Sequence, residues 1–211
     1  MDIYEALYTT RAMRRMKPDP IPYEAQARIL DAAIRAPHIG EGWRFILVDD
    51  PETKSQLAPL YRKGFENMIG GVPEELFADV IKTDTQMGRI VRSGLYLVNH
   101  FAEVPLLLMG FGRTKDGAGV YPALWSAMLA ARAEGIGSTL TGFLQSYFAN
   151  EVMEILRVPK DAGWYLHGVV VMGYPKGKWG VGTRKPVHEV ASRNSWEGDL
   201  GFTVPEPLWQ K

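Results

Sequence analysis

The chain contains no cysteine among its 211 residues. Disulfides, zinc–thiolate centres and cysteine nucleophiles are thereby excluded, and the composition fits a reducing compartment. Net charge is also missing: 24 Lys and Arg balance 24 Asp and Glu, so no broad field draws the protein to nucleic acid or to an acidic membrane. The longest apolar run, VPLLLMGF at 104–111, is far shorter than the ~20 residues of a membrane helix. Only four histidines occur, at 38, 100, 167 and 188, none in HExxH spacing, which leaves few ligands for a metal. There is no GxxxxGK[ST] and no G-x-S-x-G, the signatures of a P-loop and of a hydrolase nucleophile elbow. The start, MDIYEALYTTR, is acidic and amphipathic without an apolar h-region, so no signal peptide is expected and a cytoplasmic location is.

What is present is ordinary globular composition, 46% hydrophobic and 23% charged, long enough for one well-packed domain. Within it, TTRAMRRMKP (9–18) packs three arginines and a lysine into seven positions. In a neutral chain such a cluster is a local site, suited to a small anionic ligand rather than a polymer. Arg11 and Arg15, on an irregular stretch after a first helix, could converge on one phosphate with their fork-shaped donors. A solvated turn is the alternative, and spacing alone does not decide between them. A second basic pair, Arg184-Lys185, stands in a glycine-rich loop at the other end of the chain.

The pattern along the chain interleaves helices with three or four apolar strands, which predicts an α+β domain with a sheet core. Asp2 and Glu5 have capping-box spacing, so a short helix starts at Ile3 and ends near the first arginine. Pro18, Pro20 and Pro22 form an extended connector into a helix through Ala36. WRFILV (43–48) and PLLLMGF (105–111) read as strands. Residues 51–101 read as helix broken at Gly70, Gly71 and Pro73. Pro122–Glu134 reads as a central helix striped by Leu124, Met128 and Ala131, STLTGFL (138–144) as a third strand, and Asn150–Leu156 as a short helix. WYLHGVVVM (164–172) is the clearest strand, with His167 expected to be a hydrogen-bonded core histidine. GIGSTL (135–140) begins like a dinucleotide fingerprint, but it lacks the third glycine and follows a helix instead of a strand. The stretch 188–211 is aromatic and aperiodic, with too little length to bury its own tryptophans.

Four ordered blocks carry a resemblance that covers nearly the whole chain: TTRAMRRMKPDPIP, AAIRAPHIGEGWRFILVDDPE, VYPALWSAMLAARAEGIGSTLTGF and VVVMGYPKGKWGVGTRKPVHEV. Together they resemble the nitroreductase-like, FMN-dependent oxidoreductase family. The resemblance implies one nitroreductase-like domain over 1–211, with a central mixed β-sheet flanked by helices and a C-terminal extension (188–211) wrapping the partner subunit. It further implies a homodimer holding FMN at its interface. Electrons would come from NADH or NADPH and pass by a ping-pong cycle to a small-molecule acceptor such as a nitroaromatic or quinone, with cofactor-based chemistry and no catalytic side chain.

The resemblance also assigns residues. Arg11 and Arg184 (or Lys185) would meet the FMN phosphate. Arg15 would approach the ring, where a cation stabilises reduced flavin, and Arg14, offset by one position, would point away. Ala12 and Met13 lie between, Met13 where the family often has serine. Thr139, Leu140 and Thr141 would pass the flavin, with a backbone N–H near Thr141 at N5. The family's P-S-x-x-N-x-Q-P-W loop, whose asparagine reaches the flavin of the other subunit, is here PHIGEGW, two residues shorter and without amides. Pro37, His38 and Ile39 would lie against the ring. That departure keeps two alternatives open: a flavin-cleaving or dehalogenating relative, and a non-catalytic flavin-binding protein.

Overall fold

A computed structural model describes residues 1–38, 42–70 and 74–209; the expectations for Ile39 and Glu41 fall outside them. Its centre is a four-stranded sheet ordered β1-β2-β4-β3, where β1 is Trp43–Val48, β2 Leu106–Gly112, β3 Gly137–Thr141 and β4 Tyr165–Gly173. Every ladder between these strands is antiparallel. The parallel component expected of a mixed sheet is confined to one isolated bridge, between Ala12 and Ser138.

β2 is buried at every residue, and β4 at all but Tyr165. This explains why they read as continuous apolar runs: helices cover both of their faces. On one face α3 (Pro51–Ile69), α5 (Gln86–Asn99) and α7 (Phe143–Ile155) pack Leu57, Phe65, Leu97 and Leu144 against Met109 and Val171. On the other, α2 (Tyr23–Ala33) and α6 (Val120–Ala133) pack Ile29, Leu124 and Met128 against Leu108 and Val170. α1 (Ile3–Thr9) packs on α6, and α4 (Glu74–Lys82) packs on α5. No helix among the described residues is long and apolar enough to cross a membrane.

Local chemistry sets the helix starts. The Asp2 carboxylate accepts from the Glu5 N–H at 2.8 Å, and Asp50 does the same for Thr53, with Pro51 beginning α3. Each such cap satisfies an N–H that has no partner within the helix. Three expected boundaries shift by three residues or more. α2 ends at Ala33 rather than Ala36. The strand expected over 138–144 stops at Thr141 because Gly142 caps α7. The helix expected at Asn150 therefore begins at Phe143, with a kink at Phe148.

Candidate functional site

After α1 the chain runs extended along the sheet and meets the loop that follows β4. Met13 donates its N–H to Ser138 at 2.9 Å, Lys17 to Tyr174 at 2.8 Å, and Lys176 returns one to Arg15 at 2.9 Å. Glycines make this approach possible. Gly137 and Gly173 face each other across the β3–β4 ladder. A β-carbon on Gly137 would stand 3.0 Å from Cβ of Met13, and one on Gly173 only 2.9 Å from Cβ of Met16. The two methionines are buried in that notch, and the arginines between and beside them take their directions from it.

Those directions differ from the expected ones. Arg14 is the half-buried member, donating to the Ser93 hydroxyl at 3.2 Å. Burial lowers its pKa, partly offset by the nearby Tyr61 phenol. Arg15 instead lies exposed over the ring of Tyr96, 5.2 Å from its centre, beside Lys176. Arg14, expected to point away, is turned toward α5, while Met13 and Met16 occupy the notch. Arg11 is exposed and donates to the Lys178 carbonyl at 2.8 Å.

Arg184 sits on the loop that Gly182 ties to Tyr8 by an N–H···O bond of 3.4 Å. With Tyr8, Thr10, Lys185 and the tail segment 204–208, it lines a cavity of about 570 Å³. The structure thus brings the two ends of the chain together, yet Arg11 does not line that cavity. Thr10 does line it, and its hydroxyl is buried without a hydrogen-bond partner.

Thr139 and Thr141 are buried while Leu140 is exposed. β3 is a sheet edge, touched beyond Ser138 by no other strand among the described residues. Ser138 turns its carbonyl outward to Met13. Strand alternation then puts the N–H and C=O of Leu140 on the same open edge, while those of Thr139 and Thr141 face β4. The Thr141 hydroxyl donates to Tyr61 Oη at 3.2 Å, and burial raises the pKa of that phenol. The extended N-terminal segment, α3, α5 and β3 therefore converge on one place through Arg14, Tyr61, Ser93 and Thr141.

Pro37 and His38 are elsewhere. His38 lies against Trp43 at the start of β1, ring centres 3.5 Å apart, beside a cavity of about 410 Å³ lined also by Arg44, Arg113 and Trp164. β1 and β3 are opposite edges of the sheet, three strand spacings or about 14 Å apart. Within one chain these residues do not join Thr139–Thr141. Ala12 is exposed beside Ser138. His167 is buried as expected, but its Nε2 has no hydrogen-bond partner. Sequence reasoning missed Thr10, Tyr61 and Ser93, whose residue types carry no signal without the fold.

The sequence model of the nitroreductase family matches residues 7–174. An "NADH dehydrogenase" of Thermus thermophilus is 26% identical over 200 residues, spanning 90% of this chain and 95% of that protein. Among solved structures, oxidized iodotyrosine deiodinase bound to FMN and 3-iodo-L-tyrosine aligns with a TM-score of 0.72 at 20% identity, covering 92% of this chain and all of that one. An FMN-dependent nitroreductase of Clostridium difficile R20291 aligns at 0.67 and 18% identity, with 92% and 100% covered. At such identities the structural likeness is one of fold.

Proposed function

Because this chain belongs to the nitroreductase family of flavin-dependent oxidoreductases, we propose that it binds FMN along the open edge of β3 and works as an NAD(P)H-dependent oxidoreductase. The observation that carries this reading is Arg14. Its half-buried guanidinium has the Ser93 hydroxyl as hydrogen-bond partner, and among the described residues no carboxylate pairs with it. A cation partly withdrawn from water without a counter-charge is costly, and an electron-rich ligand at that spot would relieve the cost. The orphaned Thr10 hydroxyl beside Arg184 and Lys185 fits an anionic group at the other end of the same ligand. The chain's residues therefore suit the cofactor.

When bound, FMN supplies the redox chemistry, accepting two electrons from NADH or NADPH and passing them to an electron-poor acceptor such as a nitroaromatic or quinone. The protein supplies positioning and charge. Arg11 and Arg184 would hold the phosphate. Arg14, rather than Arg15, places positive charge at the ring, favouring its electron-rich state. The outward N–H of Leu140 would be free to donate to the cofactor, and the Thr141 hydroxyl is fixed on Tyr61. His38 and Pro37 reach a flavin only from a second subunit, so the working form is a homodimer. Tyr121, Trp125 and Leu140, each about two-fifths exposed, are apolar area for that interface, and Trp196 at 94% exposure gives the C-terminal tail something to bury on a partner.

The test is reconstitution. Protein mixed with FMN and desalted should stay yellow, bleach under NADH or NADPH without oxygen, and recolour when a quinone or nitroaromatic is added. Failure to retain FMN would refute the reading. Retention without bleaching would leave a flavin-binding protein, and appearance of cleaved flavin a destructive enzyme.

A further inference from the structure

The loop 174–186, which carries Arg184, contains no strand or α-helix, and it includes Gly177, Gly180 and Gly182. α1 is only seven residues long and buries just Ala6 and Thr9. Neither element has the apolar area to fix its own position, yet the loop carries Arg184 and α1 ends two residues before Arg11, the pair assigned to the phosphate. What joins them is a third residue, far from both in sequence. Arg132, in the last turn of α6, is buried. Its Nε donates to the Thr9 hydroxyl at 2.8 Å, and its Nη2 lies 3.5 Å from the Glu5 carboxylate. The face of the same guanidinium covers the Trp179 ring, 4.1 Å from its centre. Thr9 passes the constraint on by donating to the Glu5 carbonyl at 2.6 Å.

A guanidinium can do both because its N–H donors lie in its plane and its stacking surface lies perpendicular to it. A lysine ammonium offers no such division. Burial lowers the Arg132 pKa while Glu5 opposes the shift, yet arginine stays charged in proteins. Trp179 follows Lys178, whose carbonyl accepts from Arg11, and Thr9 precedes Arg11 by two residues. Any displacement of Trp179 therefore moves the acceptor that orients Arg11.

We infer that Arg132 is a positioning residue: by clamping Thr9 of α1 and Trp179 of the C-terminal loop to one guanidinium, it sets the spacing of Arg11 and Arg184 around the cofactor phosphate. This rests on the FMN reading above. Neither Arg132 nor Trp179 lines the cavity beside Arg184, so the effect of the clamp is to be read through the phosphate.

The experiment measures FMN and riboflavin affinities by flavin fluorescence for wild type, Arg132→Lys, Trp179→Leu, Trp179→Phe and Arg184→Ala. Hydrogen exchange is followed over 176–186 in the apoprotein. Arg132→Lys and Trp179→Leu are expected to weaken FMN about tenfold, the scale of a partly buried cation–π contact, and to leave riboflavin within about twofold. Both should accelerate exchange in the loop, and their combination should cost little more than either alone. Trp179→Phe, which keeps a ring face, should restore most of the affinity. Because Arg132 is buried, Trp179→Leu carries the test if Arg132→Lys fails to fold. Equal losses for FMN and riboflavin, or unchanged FMN affinity in both clamp variants, would overturn the inference. If Arg184→Ala weakens FMN and the clamp variants do not, the clamp alone is wrong. If wild type takes no FMN, the cofactor reading falls and the inference with it.

Discussion

Replacing Arg14 by methionine separates a residue kept for binding from one kept for folding. Methionine approximates the length of the arginine stem, so the packing beside Met13 and Met16 is largely preserved. The substitution deletes one long hydrogen bond, 3.2 Å to Ser93, worth about 1 kcal/mol in net terms. It also removes the cost of holding a guanidinium half out of water, a term of similar size and opposite sign. The apoprotein should therefore change by less than ~1 kcal/mol, or under about 4 °C in Tm for a chain of this size. Flavin binding has no such cancellation. Losing a charge-assisted hydrogen bond costs about 1.5–3 kcal/mol, roughly 10- to 150-fold in Kd. If Arg14 addresses the ring that FMN and riboflavin share, as proposed, the loss should be the same for both. Calorimetry of apoprotein and fluorescence titration with both flavins measure the two quantities. A large fall in apoprotein Tm, or FMN affinity unchanged, would refute the assignment, as would a loss confined to FMN.

Arg11→Ala and Arg184→Ala should each weaken FMN by about 10- to 150-fold with far smaller effects on riboflavin, and the double variant should be non-additive because both act on one group; parallel titrations with the two flavins check this. Gly173→Ala should destabilise the fold by about 1–3 kcal/mol through overpacking, since its β-carbon would stand 2.9 Å from both Met16 Cβ and Pro105 Cδ, and urea unfolding reads the change. Burial lowers the His167 pKa below the ordinary 6.5, with Asp116 and a Thr114 backbone hydrogen bond opposing. The unfolded chain then binds a proton that the folded one refuses, so stability contributed by neutral His167 is present above about pH 6.5 and declines as pH falls toward the folded pKa. Tm measured from pH 8 to 5 should fall more steeply in wild type than in His167→Gln. Removing residues 195–211 should lower flavin retention and dimer stability together, as size-exclusion chromatography of the reconstituted protein would show.

The elements legible in the sequence are those whose signal is local. β4 reads plainly because VVVM is buried on both faces, and α1 because Asp2 caps it with a side chain. α7 does not, since Gly142 offers no side-chain cap and the apolar Phe143-Leu144 pair suits strand and helix equally. The basic cluster was visible as a site, and its attachment to the distant loop around Arg184 followed only from the family resemblance. Which arginine turns inward was not visible, because that depends on Met13 and Met16 fitting a notch made by glycines more than a hundred positions away. Thr10 and Tyr61 were silent for the same reason: the burial of one hydroxyl without a partner and of the other against Thr141 is a property of the assembled chain.

The docking of Met13 on Ser138 also has a kinetic side. It closes a loop of well over a hundred residues, and the entropy of such closure is gained back only when the β3–β4 ladder already exists to receive it. The N-terminal segment is therefore a late arrival in folding and an early departure in native-state fluctuations, opening at less than the free energy of global unfolding. Arg11 and Arg14 travel with it. Cofactor release should accordingly follow the rate at which this strap peels away, and a bound cofactor, by bridging strap and sheet, should slow that peeling more than it slows unfolding of the core.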